Sequence, residues 1–413
     1  MKKKYKVMII LSCVFIFLFA VYGVLLLGTI SSSNKVESFA KDYEKVEYED
    51  QLTPLLDEDN NYYFVTDRKV KIMQITDMHI GGGLSSYSKD IKAINAVAAM
   101  VNYEKPDLVI LTGDQVFPVP FISLNNNNQR AFKAIAAMFE SLGVYWTAVF
   151  GNHDSELYSS NTRKGVASLY ENDELKYCLF RNNYSGSITG ECNQIINFYH
   201  TNGLINKTLY LVDSNDYQNR LLCGIDGKYD NVHQDQIDWY EEKVQERISY
   251  NQNVLSSLGE KIINKVNYLQ AQSFVFLHIP LYEYKVASDL YKNNDPSVIY
   301  NFGRMGEDVA CSNKKNAFFA TMVKYNSTKG VFCGHDHINN ISLKYQGIDL
   351  TYGMSIDYLA YRKISQYGLQ RGCTILELNE DASYRIHQEN YYQDKYVSKL
   401  PKENVNLVDY YNK

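Results

Sequence analysis

Val70-Lys71-Ile72-Met73-Gln74-Ile75-Thr76-Asp77-Met78-His79 is a short, mostly apolar run that stops at a carboxylate and an imidazole. Such a run has the length of a buried strand, and alternate residues of an extended chain share one face. Asp77 and His79 are therefore expected to point together at one ion. The pattern recurs along the chain. Residues 108–111 precede Gly113-Asp114, residues 145–150 lead into Gly151-Asn152-His153-Asp154, residues 274–277 precede His278, and residues 330–333 precede Gly334-His335-Asp336-His337. Two more apolar runs, 209–212 and 373–378, read as strands without such a cluster.

Amphipathic periodicity predicts helices over residues 88–102, 129–142 and 233–252. Strand, helix, strand, helix, strand through the first third implies right-handed crossovers and a parallel sheet core, hence an α/β domain. In open α/β sheets, sites lie past the carboxyl ends of the strands, which is where the polar clusters fall. Any one cluster is ordinary turn chemistry, because Gly, Asp and Asn are turn residues. Together, however, five clusters at five strand ends gather five of the eight histidines with Asp77, Asp114 and Asn152. Imidazole with carboxylate suits Zn, Mn or Fe, whereas Mg and Ca sites rarely recruit several histidines. Two such ions about 3.5–4 Å apart clamp an in-line displacement at phosphorus and generate hydroxide near neutral pH.

The ordered set Asp-x-His, Gly-Asp, Gly-Asn-His-Asp, single His and Gly-His-x-His, over residues 77–337, resembles the signature of calcineurin-like metallophosphoesterases. The stretches His278-Ile279-Pro280-Leu281-Tyr282-Glu283-Tyr284 and Gly334-His335-Asp336-His337-Ile338-Asn339-Asn340, with Gly151-Asn152-His153-Asp154-Ser155-Glu156, resemble the purple-acid-phosphatase-like branch. The resemblance covers roughly residues 69–379. It implies two facing mixed β-sheets flanked by helices, a phosphate-ester substrate and a metal-bridged hydroxide as nucleophile. It also implies a ligand set: Asp77, His79 and His337 for one metal, Asn152, His278 and His335 for the other, and Asp114 between them. His153 is then no ligand but faces the substrate, where a protonated imidazole assists the leaving oxygen, with Asp154 orienting it.

Three departures matter. Phe117 stands where coloured purple acid phosphatases carry their chromophoric tyrosine, His79 replaces the glycine of their first motif, and Phe150 occupies the place of an arginine that many protein phosphatases use. The centre is expected to be colourless, with Fe, Mn or Zn as its metals, and phosphoprotein specificity loses support. Monoesters and diesters, the latter including nucleotides and sphingolipid-type head groups, both stay open. An inactive scaffold of the same fold is the reading from another class, disfavoured because every expected position is filled. Gly81-Gly82-Gly83 lacks the following Gly-Lys-Ser/Thr of a phosphate-binding loop. These glycines are expected to let the loop after His79 pass close to the metals.

At the N-terminus, Lys2-Lys3-Lys4 precede an uncharged apolar run over residues 7–30. It is long enough to cross a bilayer and longer than the apolar region of a cleaved signal. Lysines before the run keep the N-terminus cytoplasmic, so the catalytic part is expected to be membrane-anchored on the extracellular or lumenal side. Cleavage and secretion is the alternative. The expected organisation is an anchor (1–30), an acidic stalk (31–68), a catalytic domain (69–380) and a polar, tyrosine-bearing tail (381–413). Of seven cysteines, Cys178 and Cys192 bracket an Asn-, Ser- and Gly-rich loop and form a candidate disulfide, while Cys223, Cys333 and Cys373 sit in strand-like stretches. Glycosylation sequons begin at Asn183, Asn206, Asn326 and Asn340. A net charge of −5 gives no bulk attraction for nucleic acid, and none is expected as a partner.

Overall fold

The computed structural model describes residues 3–258, 265–361, 364–367 and 369–409. Its strands in chain order begin with β1 (Leu55–Leu56), β2 (Tyr62–Val65), β3 (Val70–Ile75), β4 (Leu108–Thr112), β5 (Trp146–Val149), β6 (Gln194–Tyr199) and β7 (Ile205–Leu211). They continue with β8 (Ser273–Phe276), β9 (Val298–Phe302), β10 (Thr328–Cys333), β11 (Ser342–Tyr345), β12 (Ile348–Tyr352), β13 (Gly372–Leu378) and β14 (Tyr384–Asn390). They form two mixed sheets, as expected. One has the order β14-β13-β3-β4-β5, the other β1-β2-β6-β7-β8-β10-β12-β11-β9. The strands that lead into the five clusters are parallel within each sheet: β3, β4 and β5 in the smaller, β8 and β10 in the larger.

Period-two burial explains how the larger sheet works. Leu209, Leu211, Phe274, Phe276 and Phe332 join the core cluster that also holds the smaller sheet's residues, while Tyr210, Val212, Val275, Leu277, Val331 and Cys333 join a second cluster on the other face. Phe276 and Phe332 stack in the shared core with ring centroids 4.8 Å apart. Near the site, Gln74 Nε2 donates to Thr112 Oγ1 (2.9 Å) and to the Cys333 carbonyl (3.0 Å), which ties the two sheets together.

The helices that matter for the site are α1 (Lys3–Lys41), α2 (Tyr87–Glu104), α3 (Pro120–Ser123), α4 (Asn128–Leu142), α5 (Arg163–Tyr170) and α6 (Gln234–Leu258). α4 begins where the Asn127 side chain accepts from the Arg130 N–H and ends at Gly143, whose φ of 63° suits glycine. From Val7 to Leu27 nearly all side chains of α1 are exposed, and this is the one helix among the described residues long and apolar enough to cross a membrane. Met1 and Lys2 lie outside the described residues.

Four expectations are corrected. No solvated stalk follows the apolar run: α1 continues to Lys41 and packs on α4, with Val36 and Ala40 buried one turn apart, and Val46, Leu52 and Phe64 also enter the core. Acidic residues misled because Glu37 and Lys41 pair at i,i+4 (2.6 Å) on the helix's solvent side while the apolar residues line the other. The polar tail from 381 to 409 packs onto the domain. It supplies edge strand β14, then Tyr391, Tyr392 and Tyr396, all buried; Tyr396 donates to Glu104 (2.8 Å), and Lys395 reaches the same carboxylate (2.9 Å). Tyr410 and Tyr411 lie outside the described residues.

Cys178 and Cys192 are separate buried thiols. Cys178 bridges to Trp146, whereas the Cys192 sulfur accepts the Phe150 N–H (3.2 Å). Four residues along a strand are about 13 Å, beyond the roughly 7 Å that a disulfide spans between Cα atoms. Burial pushes both thiols up. Cys223 is on no strand, lying at φ 44° after a short 3-10 turn. Two of the sequons are also closed to glycans, because Asn206 and Asn340 are buried.

If 31–68 is part of the packed fold, Val36→Asp buries an unpaired carboxylate between α1 and α4. Its denaturation midpoint should fall by the equivalent of about 2 kcal/mol or more, measured with intrinsic fluorescence in urea. A free stalk would tolerate the change.

Candidate metal centre

Each donor arrives at the end of a strand. β3 delivers Asp77 and His79, β4 Asp114, β5 Asn152, β8 His278, and β10 His335 and His337. The approach is close enough to demand glycine between them. A Cβ on Gly151 would lie 2.1 Å from the Asp114 carboxylate, and one on Gly113, at φ 90°, would lie 2.2 Å from the His278 ring. The donors themselves take positive φ: 52° at Asp77, 48° at His79, 50° at Asp114 and 78° at His335. Non-glycine residues seldom adopt such angles, which cost on the order of 1–3 kcal/mol each.

The side chains converge in two groups with one shared member. Donor atoms of Asp77, His79, Asp114 and His337 lie within 4.8 Å of one another, as do those of Asp114, His278 and His335. Asp114 Oδ2 stands 3.3 Å from His79 Nε2 and 3.2 Å from His278 Nε2. His337 Nε2 is 3.5 Å from Asp77 Oδ1. Asn152, at the end of β5, donates from Nδ2 to Tyr217 Oη (2.8 Å), and its buried Oδ1 has no hydrogen-bond partner among the described residues.

In His278 and His337 the outer ring nitrogen is held and the inner one is left for the centre. His278 Nδ1 approaches the Thr112 carbonyl (2.8 Å), so that nitrogen carries the hydrogen and Nε2 carries a lone pair. That lone pair faces His335 Nδ1 at 3.3 Å. One hydrogen on His335, or one cation between the rings, satisfies both nitrogens. Although burial disfavours its charge, the Asp114 carboxylate raises His278 to about 9. Burial and the neighbouring His278 push His335 well below its ordinary value. Asp114 is pushed up by burial, but the imidazoles around it win and hold it well below the carboxylate range. An orphaned amide oxygen, facing nitrogens and an obligate anion fit a pair of divalent ions with N and O ligands.

Asp357 is the residue that sequence reasoning missed. Its Oδ2 lies 3.0 Å from His337 Nδ1 and 3.2 Å from His79 Nδ1, the second contact an ion-pair approach without hydrogen-bond alignment. Backbone N–H groups of Leu359, Ala360 and Tyr361 donate to the same carboxylate. One acid thus orients two ligand imidazoles, a role carried by carboxylates behind metal-bound histidines. No motif marked it, since it lies after β12 in a segment without a strand-end cluster.

Two assigned roles change. Asp154 does not touch the His153 ring; it accepts from the Gly151 N–H (2.7 Å) and the Val116 N–H (3.0 Å), fastening the loops after β4 and β5 together. Burial, then the Asp114 charge, raises Asp154 to about 6. Glu156 instead holds His153, with Oε1 2.8 Å from Nδ1, and accepts from Tyr217 Oη as well (2.8 Å). His153 Nε2 has no partner among the described residues, and the ring remains part-exposed beside Phe117. Where an arginine was absent before Gly151, Arg163 of α5 works from behind, donating to the Gly151 and Phe150 carbonyls (2.9 and 3.1 Å) while paired with Asp213. Gly81 and Gly82 face away from the metals: their N–H groups donate to Asp90 of α2 (2.8 and 3.0 Å), and a Cβ on Gly83 would strike the Ser123 carbonyl.

Two donor groups sharing one carboxylate, at the strand ends of a two-sheet sandwich, define a metallophosphoesterase fold with a dimetal-type site. The model of the calcineurin-like phosphoesterase family matches residues 70–339, and the chain belongs to this family. Among curated proteins, it is 28% identical to "Probable inactive purple acid phosphatase 14" of Arabidopsis thaliana, over 76% of each chain. It is also 28% identical to "Phosphatase DCR2" of Saccharomyces cerevisiae, over 67% of this chain and 45% of that one. Among solved structures, a dimetal phosphatase from Danio rerio superposes with a TM-score of 0.50 at 12% identity, covering 78% of this chain and 97% of that one, a likeness of fold.

Asp357→Asn keeps the shape but weakens the acceptor for two imidazoles. Metal affinity should drop about 10- to 100-fold, read by competition with a chelating dye. Unchanged affinity would remove Asp357 from the centre.

Proposed function

We propose that this chain is a hydrolase of phosphate esters that works with two transition-metal ions, Fe, Mn or Zn, anchored by α1 with its catalytic part outside the cytosol. The observation that carries the reading is Asp114, whose carboxylate stands between two complete donor groups. Asp77, His79 and His337 would hold one ion, Asn152, His278 and His335 the other, and Asp114 both. Bound there, the ions supply Lewis acidity toward phosphoryl oxygens and an activated water. The protein's own groups do the rest.

His153 binds and protonates. Its main-chain N–H donates to Asp114 Oδ1 (2.8 Å), which fixes the residue beside the centre, while Glu156 fixes the ring by Nδ1. Nε2 is then the atom that meets a phosphoryl oxygen or hands a proton to the leaving alcohol. Phe117 lines the opening with carbon where a tyrosine would give a coloured iron site. A second reading deserves its place because some Arabidopsis relatives bear the word "inactive" in their names: a scaffold that kept the fold without catalysis. The filled donor set and the loose Asn152 oxygen count against it.

Full-length protein reconstituted with Mn, Zn or Fe should hydrolyse p-nitrophenyl phosphate or bis-p-nitrophenyl phosphate, and Asp114→Ala should abolish it. Metal-loaded wild type inert toward both and toward a broad ester panel would favour the scaffold. His153→Ala should lower kcat on the order of 10²- to 10⁴-fold with two metals still bound. Loss of metal instead would make His153 a ligand and overturn its role. Glu156→Gln should lower kcat by loosening the His153 ring, with both metals retained, where Asp154→Asn should mainly lower stability.

A further inference from the structure

Counting from Val7 at about 1.5 Å per residue, a helix crosses a hydrocarbon layer of roughly 30 Å near Leu26. The outer edge of a bilayer spanned by α1 therefore falls close to Gly28 and Thr29. The catalytic fold touches α1 at that level: Thr29 Oγ1 donates to the Leu124 carbonyl (2.9 Å), and a Cβ on Gly28 would stand 3.1 Å from Leu84. Leu84 and Leu124 belong to a surface of uncovered apolar side chains with Phe121, Leu157, Leu221 and Ile225; Phe121 is 97% and Ile225 88% exposed.

Hydrogen bonds tie these loops into one rim. Asn126 Nδ2 donates to the Tyr158 carbonyl (3.4 Å), the Ser160 N–H to the Asn126 carbonyl (2.9 Å), and Arg220 to the Ser155 carbonyl (2.6 Å). The same loops frame the metal centre. Phe117, just ahead of α3, packs on the His79 and His153 rings; Leu157 follows Glu156; and Tyr217 and Tyr229 flank the loop that carries Leu221 and Ile225, with Tyr229 4.4 Å from the His335 ring. α2 gives the direction away from the bilayer. It starts three residues after Leu84, near Gly28, and passes α1's end where Tyr43 Oη donates to Asn95 (3.4 Å). Tyr103 is thus about 24 Å farther along α2 than Tyr87.

Large apolar side chains grouped on a surface mark a contact, and this group is continuous with the membrane-length helix. We propose that the rim seats in the leaflet that α1 reaches, so that the metal centre meets phosphate esters on lipid head groups. The choice of substrate rests on the phosphoesterase reading; the seating does not.

The test uses the full chain in phosphatidylcholine bilayers with brominated acyl chains, carrying Phe121→Trp, Ile225→Trp or Tyr103→Trp. The native Trp146 and Trp239 are buried and give a constant background. Seating requires loss of the added fluorescence at 121 and 225 but not at 103; equal behaviour at all three overturns it. In a second arm, metal-loaded protein is offered phosphatidic acid or phosphatidylcholine in the bilayer, beside the matching soluble nitrophenyl ester. Phe121→Asp with Ile225→Asp should lower lipid turnover on the order of tenfold or more and leave the soluble ester unaffected. Wild type that cleaves only the soluble ester, or equal effects on both, overturns the head-group assignment. Wild type that cleaves neither fails the phosphoesterase reading, while the fluorescence still decides the seating.

Discussion

Imidazoles crowded around one buried carboxylate are the constraint around which this fold is organised. Asp114 Oδ2, His79 Nε2, His278 Nε2 and His335 Nδ1 all face a common space within 3.2–3.3 Å of a neighbour. The Asp114 carboxylate needs positive charge beside it, because burial withdraws the water that would otherwise solvate it. The chain accepts this by over-determining every donor. Loops run at positive φ, glycines admit neighbouring side chains, and Thr112, Asp357 and Tyr217 take up the outward-facing donors so that the inner atoms stay bare. Strain of that kind persists only where surrounding structure enforces it, and two packed sheets provide the enforcement.

How much of this could be read in the sequence follows from what each feature depends on. Strands β3, β4, β5, β8, β10 and β13 were legible because both faces are buried, which leaves continuous apolar runs. Edge strand β14 was not, since exposed Arg385 and half-buried His387 and Glu389 break the run. The donors were legible as a set because each closes a strand. Asp357 and Glu156 act through another residue's ring, and spacing carries no mark of such a partner. Asp154 was misassigned for the same reason: adjacency in sequence suggested a contact with His153, but the turn after Asn152 sends its carboxylate back to two backbone N–H groups.

The ends of the chain show the reverse error. Acidic composition from residue 36 onward suggested solvated chain, yet a helix needs only one apolar stripe to pack, and Val36 and Ala40 supply it. As a result α1 is a continuous rod from its apolar half into the catalytic core. With α1 spanning a bilayer, as we propose, the orientation of the site would be set by packing rather than left to a tether, which gives the exposed apolar rim beside Gly28 its physical meaning.

The central claim is that one carboxylate, Asp114, lies between two bound metal ions. Anomalous diffraction from crystals of the Mn- or Zn-loaded protein tests it most directly. Two peaks about 3.5–4 Å apart with Asp114 between them are expected. A single peak, or two that do not share Asp114, would contradict the account.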